Sequence, residues 1–166
     1  GNGDKWGVKI EYIYENKPLG TAGSLGLLPK NLDNLPIIVM NGDVLTTIPF
    51  EKLLDFHSEQ GGQATVCVRE YDFQVPFGVV ATEGSKVMKI EEKPVHSFFV
   101  SAGIYVLDPS IIKNIEPDVY IDMPHFLTDL IESGSELSAF PIHEYWMDIG
   151  REDDFYQAQS DIINLH

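Results

Sequence analysis

The run Pro36-Ile37-Ile38-Val39-Met40 constrains this chain more than any other feature. A short, continuous apolar stretch has no polar face to give to water, so it reads as a strand covered on both sides. It passes directly into Asn41-Gly42-Asp43, and the next periodic segment, Phe50 to Glu59, places Phe50, Leu53, Leu54 and His57 at helical spacing before Gly61-Gly62. Strand, loop and helix in that order predict an α/β topology.

Strands are then expected over Ala64 to Arg69, Gly78 to Thr82, Lys86 to Ile90 and Phe98 to Leu107, each separated by turn residues. Helices follow at Ser110 to Ile115 and at Pro124 to Ser133. The second puts Phe126, Leu127, Leu130 and Ile131 on one face, with Asp122 as its cap. A strand over Leu137 to Ile142, a short segment over Tyr145 to Ile149 and a helix from about Glu152 to Ile163 complete the pattern. Upstream, Val8, Ile10, Tyr12 and Tyr14 alternate at strand period right behind the turn-like Gly1-Asn2-Gly3-Asp4, and Thr21 is placed to cap a helix over Ala22 to Leu28. Such an abrupt start predicts a fragment. With no repeat, low-complexity tract or linker, one compact unit with a mixed sheet is expected.

Charge narrows the partners. Eleven Lys plus Arg stand against 26 Asp plus Glu, a net −15 that repels nucleic acid and anionic headgroups. No apolar run reaches the ~20 residues of a membrane span. Cys67 is the lone cysteine, no Asn-x-Ser/Thr acceptor occurs and no leading segment reads as a signal peptide, so the cytoplasm is the expected compartment. Cys67, between Val66 and Val68, reads as an inert packing residue. His57, His96, His125, His143 and His166 form no grouping with zinc-ligand spacing.

Two aspartates lead the search for chemistry. Asp43 follows a buried strand at its carboxyl end, where ligands gather in open α/β sheets, although Asn-Gly-Asp also suits a plain hairpin turn. No alternating strand follows it at once, since Val44 to Pro49 leads into a helix. Asp148 sits among the large apolar residues of Tyr145-Trp146-Met147-Asp148-Ile149-Gly150, and a buried carboxylate there would need a metal or donor. Its alternative role is to cap the following helix. Two such carboxylates suit Mg²⁺, which commonly takes one or two and fills its shell with water and phosphate oxygens. Glu91-Glu92-Lys93-Pro94 is a charge cluster that is otherwise simply solvated, but its cation could hold a phosphate monoester. In Gly20-Thr21-Ala22-Gly23, small residues at a helix start would allow close approach of a base or sugar and offer free N–H donors.

In chain order these pieces resemble the sugar-1-phosphate nucleotidyltransferases, the group that includes the mannose-1-phosphate guanylyltransferases. The carriers are Gly3-Asp4-Lys5-Trp6-Gly7-Val8-Lys9-Ile10 with Tyr12 and Glu15, Pro18-Leu19-Gly20-Thr21-Ala22-Gly23, Asn41-Gly42-Asp43, Phe77-Gly78-Val79-Val80, Glu92-Lys93-Pro94, Ser101-Ala102-Gly103-Ile104-Tyr105 and Trp146-Met147-Asp148-Ile149-Gly150. The resemblance implies a Rossmann-like, mostly parallel mixed sheet flanked by helices. It assigns Leu19, Gly20, Thr21, Ala22 and Gly23 to the base and ribose, and Asp43 and Asp148 to catalysis through Mg²⁺. It also assigns Gly78, Glu92 and Ser101 to the sugar and Lys93 to its phosphate. The implied substrates are a nucleoside triphosphate and a sugar-1-phosphate, best taken as GTP and mannose-1-phosphate.

The family's Gly-Gly-x-Gly-Thr-Arg-Leu loop and Pro-Lys-Pro do not occur in residues 1–166. The expectation is therefore the C-terminal portion of a single nucleotidyltransferase domain, inactive alone and prone to self-association as a homo-oligomer. Ser101 stands where many members carry Asn, which bears on one sugar-hydroxyl contact. The rival readings are a nucleotide-sugar binding or regulatory module that lost catalysis, and a structural domain in which Asp43 and Asp148 merely cap.

Overall fold

The computed structural model describes residues 1–163. His166 lies outside the described residues. Helices punctuate runs of strands: α1 (Gly20–Gly23), β1 (Ile37–Met40), β2 (Val44–Thr46), α2 (Phe50–Gln60), β3 (Ala64–Gln74), β4 (Gly78–Glu83), β5 (Lys86–Glu92), β6 (Val95–Leu107), α3 (Pro109–Ile112), α4 (Met123–Glu132), β7 (Leu137–Pro141), β8 (Trp146–Asp148) and α5 (Glu152–Ile162). Four strands hydrogen-bond in the order β1-β6-β3-β7, while β2 with β8 and β4 with β5 form two-stranded sheets. Both of the latter pairings are antiparallel. The crossed strand order, with helices between strands, is the α/β fold the sequence predicts.

The described residues divide into two compact units, one of Gly1–Asn41, Phe50–Thr65 and Tyr105–Ser138, the other of Gly42–Pro49, Val66–Ile104 and residues 139–163. The first holds most of the apolar core. Leu53 of α2, Leu107 of β6, Ile111 and Ile112 of α3, and Met123 of α4 are each 3% exposed or less. His57, also on the buried face of α2, is 3% exposed, and its Nδ1 lies 2.9 Å from Thr65 Oγ1. It is a satisfied core histidine, in line with its place on the helix face. In the second unit Cys67 is fully buried, and burial pushes its thiol up to about 12, so it carries no nucleophilic thiolate near neutrality.

Several expectations are corrected. Residues 8–14 form no regular strand, and a 3₁₀ turn at Asp4–Trp6 precedes them. Alternation gives a segment two faces but no partner to pair with. β1 is half-buried rather than covered on both sides, with Met40 45% exposed, because it ends the order of its sheet. Val44 to Thr46, read as a lead into a helix, is strand β2. Thr21 lies inside α1, whose capping position is Leu19, and the helix stops at Gly23, giving way to a 3₁₀ turn over Ser24–Leu27. On α4, Phe126 and Leu127 are buried but Ile131 is 59% exposed.

Candidate functional site

The second unit brings the two aspartates together. In the antiparallel pairing of β2 and β8, Val44 faces Asp148, Leu45 faces Met147 and Thr46 faces Trp146. Asp43 is thus the residue just before the ladder, and its carbonyl accepts a 2.8 Å hydrogen bond from the Ile149 amide. The two residues lie at the same end of one short ladder on neighbouring strands, although 105 positions separate them in sequence (148 − 43 = 105). Gly42 and Asp43 do form a turn between β1 and β2, as the plainer reading of Asp43 has it. A β1–β2 hairpin is excluded because β1 and β2 belong to different sheets. Asp148 does not cap α5 either: the capping position is Arg151, whose amide donates to Asp154 Oδ2 at 3.0 Å. Asp148 is exposed, so the buried carboxylate expected there is corrected. The surrounding apolar side chains are partly covered while the carboxylate meets water, and no desolvation demands a partner.

The short ladder is held in place by side chains. Trp146 Nε1 donates to the Ala102 carbonyl at 2.8 Å, and Thr46 Oγ1 donates to the Tyr145 carbonyl at 2.8 Å. The Tyr145 hydroxyl donates to Asp161 Oδ2 of α5 at 2.6 Å; burial first, then that carboxylate, push the phenol up to about 12. The Trp146 bond also ties β8 to the segment carrying Ser101, an exposed residue whose Oγ lies 3.5 Å from the Gly103 amide.

A second group forms on the β4–β5 hairpin, where Gly78 faces Glu92 and Val79 faces Glu91. A Cβ at position 78 would come within 3.1 Å of Glu92 Oε2, so glycine leaves that carboxylate room. Lys89 neutralises Glu91 at 2.6 Å, and this hydrogen bond and charge hold the Glu91 carboxyl below its usual range. Lys93 follows Glu92 in a left-handed conformation with φ +46°. Its amide donates to the Phe77 carbonyl at 3.3 Å.

Leu19 to Gly23 belong to the other unit and are built differently from the expectation. The helix-start N–H groups are not free: Thr21 donates to Asp122 Oδ1 at 3.4 Å, and Ala22 and Gly23 both donate to the Ile121 carbonyl at 2.9 and 3.0 Å. In return Thr21 Oγ1 accepts the Met123 amide at 2.8 Å, at the first residue of α4. The small residues allow this contact. A Cβ on Gly20, at φ +77°, would lie 2.6 Å from the Ile121 carbonyl oxygen, and one on Gly23 would lie 2.3 Å from that of Val119. Leu19, Ala22 and Gly23 are buried, which leaves Gly20 and Thr21 as the accessible members.

Sequence reasoning gave Asp122 only a capping role and missed its hold on Thr21. No local signal reveals a partner 101 residues away. It also missed Trp146 as the brace of β8. Beside Asp122, a cleft of about 320 Å³ is lined by Tyr120, Ile121, Asp122, His125 and Asp129.

The fold is that of the nucleotide-diphospho-sugar transferases. HddC from Yersinia pseudotuberculosis superposes with a TM-score of 0.67 at 26% identity, over 94% of this chain and 68% of that one. The fold is shared by a putative glucose-1-phosphate thymidylyltransferase from Bacillus anthracis, solved in complex with a sucrose, at TM-score 0.69, 24% identity and coverage of 96% and 68%.

Residues 1–164 match the nucleotidyl transferase family model, and the chain belongs to that family. Among its relatives, the mannose-1-phosphate guanyltransferase of Aspergillus fumigatus is 36% identical over 92% of this chain, and that of Pichia angusta 39% over 91%, each match covering 43% of the relative. The mannose-1-phosphate guanylyltransferase catalytic subunit beta of Dictyostelium discoideum is 33% identical over 96% of the chain and 46% of its own length. The chain thus spans less than half the length of these relatives. Among the described residues no helix is long and apolar enough to cross a membrane.

Proposed function

We propose that this chain carries the metal-binding and sugar-binding part of a sugar-1-phosphate nucleotidyltransferase, with GTP and mannose-1-phosphate as substrates and GDP-mannose and pyrophosphate as products. The observation that carries the reading is the placement of Asp43 and Asp148 on neighbouring strands at one end of the β2–β8 ladder. Support for the substrate pair comes from relatives named for mannose-1-phosphate guanylyl transfer.

The donor set fits Mg²⁺. Both side chains are exposed hard-oxygen donors. A two-carboxylate set leaves coordination positions for water and for substrate phosphate, as Mg²⁺ prefers. When bound, the metal neutralises charge on the nucleotide phosphates.

The remaining work is positioning. Glu92, given space by Gly78, would accept hydrogen bonds from sugar hydroxyls, and the Gly78 amide and Ser101 would complete the sugar contacts. Lys93 would hold the sugar phosphate so that one of its oxygens faces the α-phosphorus, and pyrophosphate would leave in line. Such a reaction needs no covalent nucleophile from the protein. Gly20 and Thr21 would meet the base and ribose, with Leu19, Ala22 and Gly23 setting their backbone from beneath.

Pyrophosphate release across a panel of triphosphates and sugar-1-phosphates, measured with and without Mg²⁺ on the chain joined to its upstream coding region, tests the assignment. Asp43→Asn and Asp148→Asn should each cut turnover by roughly 10²-fold or more. Both side chains are exposed, so thermal midpoints should stay near the parent's. Normal turnover in both variants would overturn the metal assignment.

A further inference from the structure

We infer that Gln74, at the end of β3, is a positioning residue that locks Lys93 into its left-handed turn and so presents its ammonium to the phosphate of the sugar-1-phosphate. The inference rests on the reading of Lys93 given above.

Lys93 has a backbone that its own residue type does not favour. A side-chain-bearing residue in the left-handed region costs roughly 1–2 kcal/mol relative to a right-handed one. Proline at the next position restrains the residue before it toward extended angles, and Pro94 is buried and therefore fixed. Glycine would make the same turn without the Cβ penalty. Only one other non-glycine residue with positive φ, Asp118, occurs among the described residues. Such strain persists where surrounding contacts over-determine it.

The over-determination is visible. Val75 N–H donates to the Pro94 carbonyl at 3.0 Å, Lys93 N–H to the Phe77 carbonyl at 3.3 Å and Gln74 Nε2 to the Lys93 carbonyl at 3.3 Å. Segment 74–77 therefore clamps 93–94 on both sides of the kinked peptide. The first two bonds are backbone to backbone and would form with other side chains at these positions. The Gln74 bond is the one that depends on side-chain identity, and it grips the carbonyl of the strained residue itself.

The turn has a consequence for the cation. Along β5, successive side chains point to opposite faces, and the left-handed residue breaks that alternation directly after Glu92. Lys89 is committed to Glu91 at 2.6 Å. Lys93 forms no ion pair among the described residues and remains exposed, available to an anionic ligand. In a chain of net charge −15, a lysine outside the ion pairs of the described residues is the cation a phosphate monoester can use.

Mannose-1-phosphate binding to the chain, followed by calorimetry and by ³¹P shift at several salt concentrations, tests the inference with Lys93→Ala, Gln74→Ala and Gln74→Glu. Glutamate keeps the shape of Gln74 but has no N–H for the Lys93 carbonyl. Lys93→Ala should weaken binding about tenfold or more and flatten the dependence of affinity on salt, as loss of a cation–phosphate contact does. Both Gln74 variants should weaken it about three- to tenfold and flatten the same dependence, with GTP affinity unchanged. A Gln74 role confined to folding would lower the thermal midpoint and leave the salt dependence at the parent's slope, and that result overturns the inference. Parent-like binding by both Gln74 variants, with Lys93→Ala impaired, overturns it as well while the phosphate reading stands. Undetectable binding by the parent, or parent-like binding by Lys93→Ala, removes the phosphate reading and the inference with it.

Discussion

At the scale of the residue, the glycines of the Gly20–Gly23 segment mark where one stretch of backbone lies against another. The Val119 carbonyl oxygen would be 2.3 Å from a Cβ on Gly23, Leu19 Cβ 3.1 Å and the Ile121 amide nitrogen 3.2 Å, and the two backbone atoms cannot retreat cheaply. Gly42 has nothing within 4 Å of its would-be Cβ and no left-handed φ. Gly23→Ala should therefore cost ~1–3 kcal/mol by overpacking. Gly42→Ala, next to Asp43, should leave the urea midpoint at the parent's value. Equal midpoints for the two variants would show that the segment packs more loosely than these distances require. In the segment assigned to the nucleotide, small residues thus also serve to bring the chain against its own residues 119–122.

Elements meet through the same contact. Thr21 Oγ1 accepts the Met123 amide at the start of α4, and Asp122 Oδ1 accepts the Thr21 amide in α1, so each segment supplies the other's N-terminal cap. Thr21→Val keeps the shape and removes the acceptor, which should cost ~0.5–2 kcal/mol, the worth of a helix cap. Asp122→Ala should cost a similar amount. The double variant should cost less than the sum, because either loss loosens the docking on which the other bond depends. Additive losses in urea denaturation would show that the two caps act independently.

That exchange also shows what the sequence could and could not disclose about elements. A glycine stop placed α2 and a capping residue placed α4 within a residue or so, since those signals are local. Asp122 reads as a cap from its neighbours alone, but its carboxylate serves a residue 101 positions away. The pairing of β2 with β8, which places Asp43 and Asp148 on neighbouring strands, is equally invisible, because two three-residue strands carry no signal naming a partner. The proposed site residues come from the ordered motifs of the family. The ladder, the Trp146 brace and the Gln74 clamp that hold them are contacts between distant parts of the chain.

For the whole molecule, two opposing properties decide the behaviour in solution. A net charge of −15 on 166 residues pushes copies apart. Against it stands exposed apolar surface: on the β4–β5 hairpin, Val80 and Ile90 face each other across the strands at 49% and 67% exposure, and Phe77, just before β4, is 73% exposed. Repulsion between exposed charges is screened by salt, with a Debye length that falls from ~30 Å at 0.01 M to ~3 Å at 1 M, whereas apolar attraction is not weakened by that screening. The chain should therefore be predominantly monomeric at low ionic strength and self-associate as salt and protein concentration rise. Sedimentation velocity across that salt range reads the balance directly. Replacing Val80 and Ile90 together by lysine should return the high-salt sample to monomer, because the change removes apolar area from the hairpin. The added positive charge lowers the net repulsion, so it cannot by itself account for dissociation. A parent that stays monomeric throughout, or a double variant that associates like the parent, would show that this hairpin does not drive assembly.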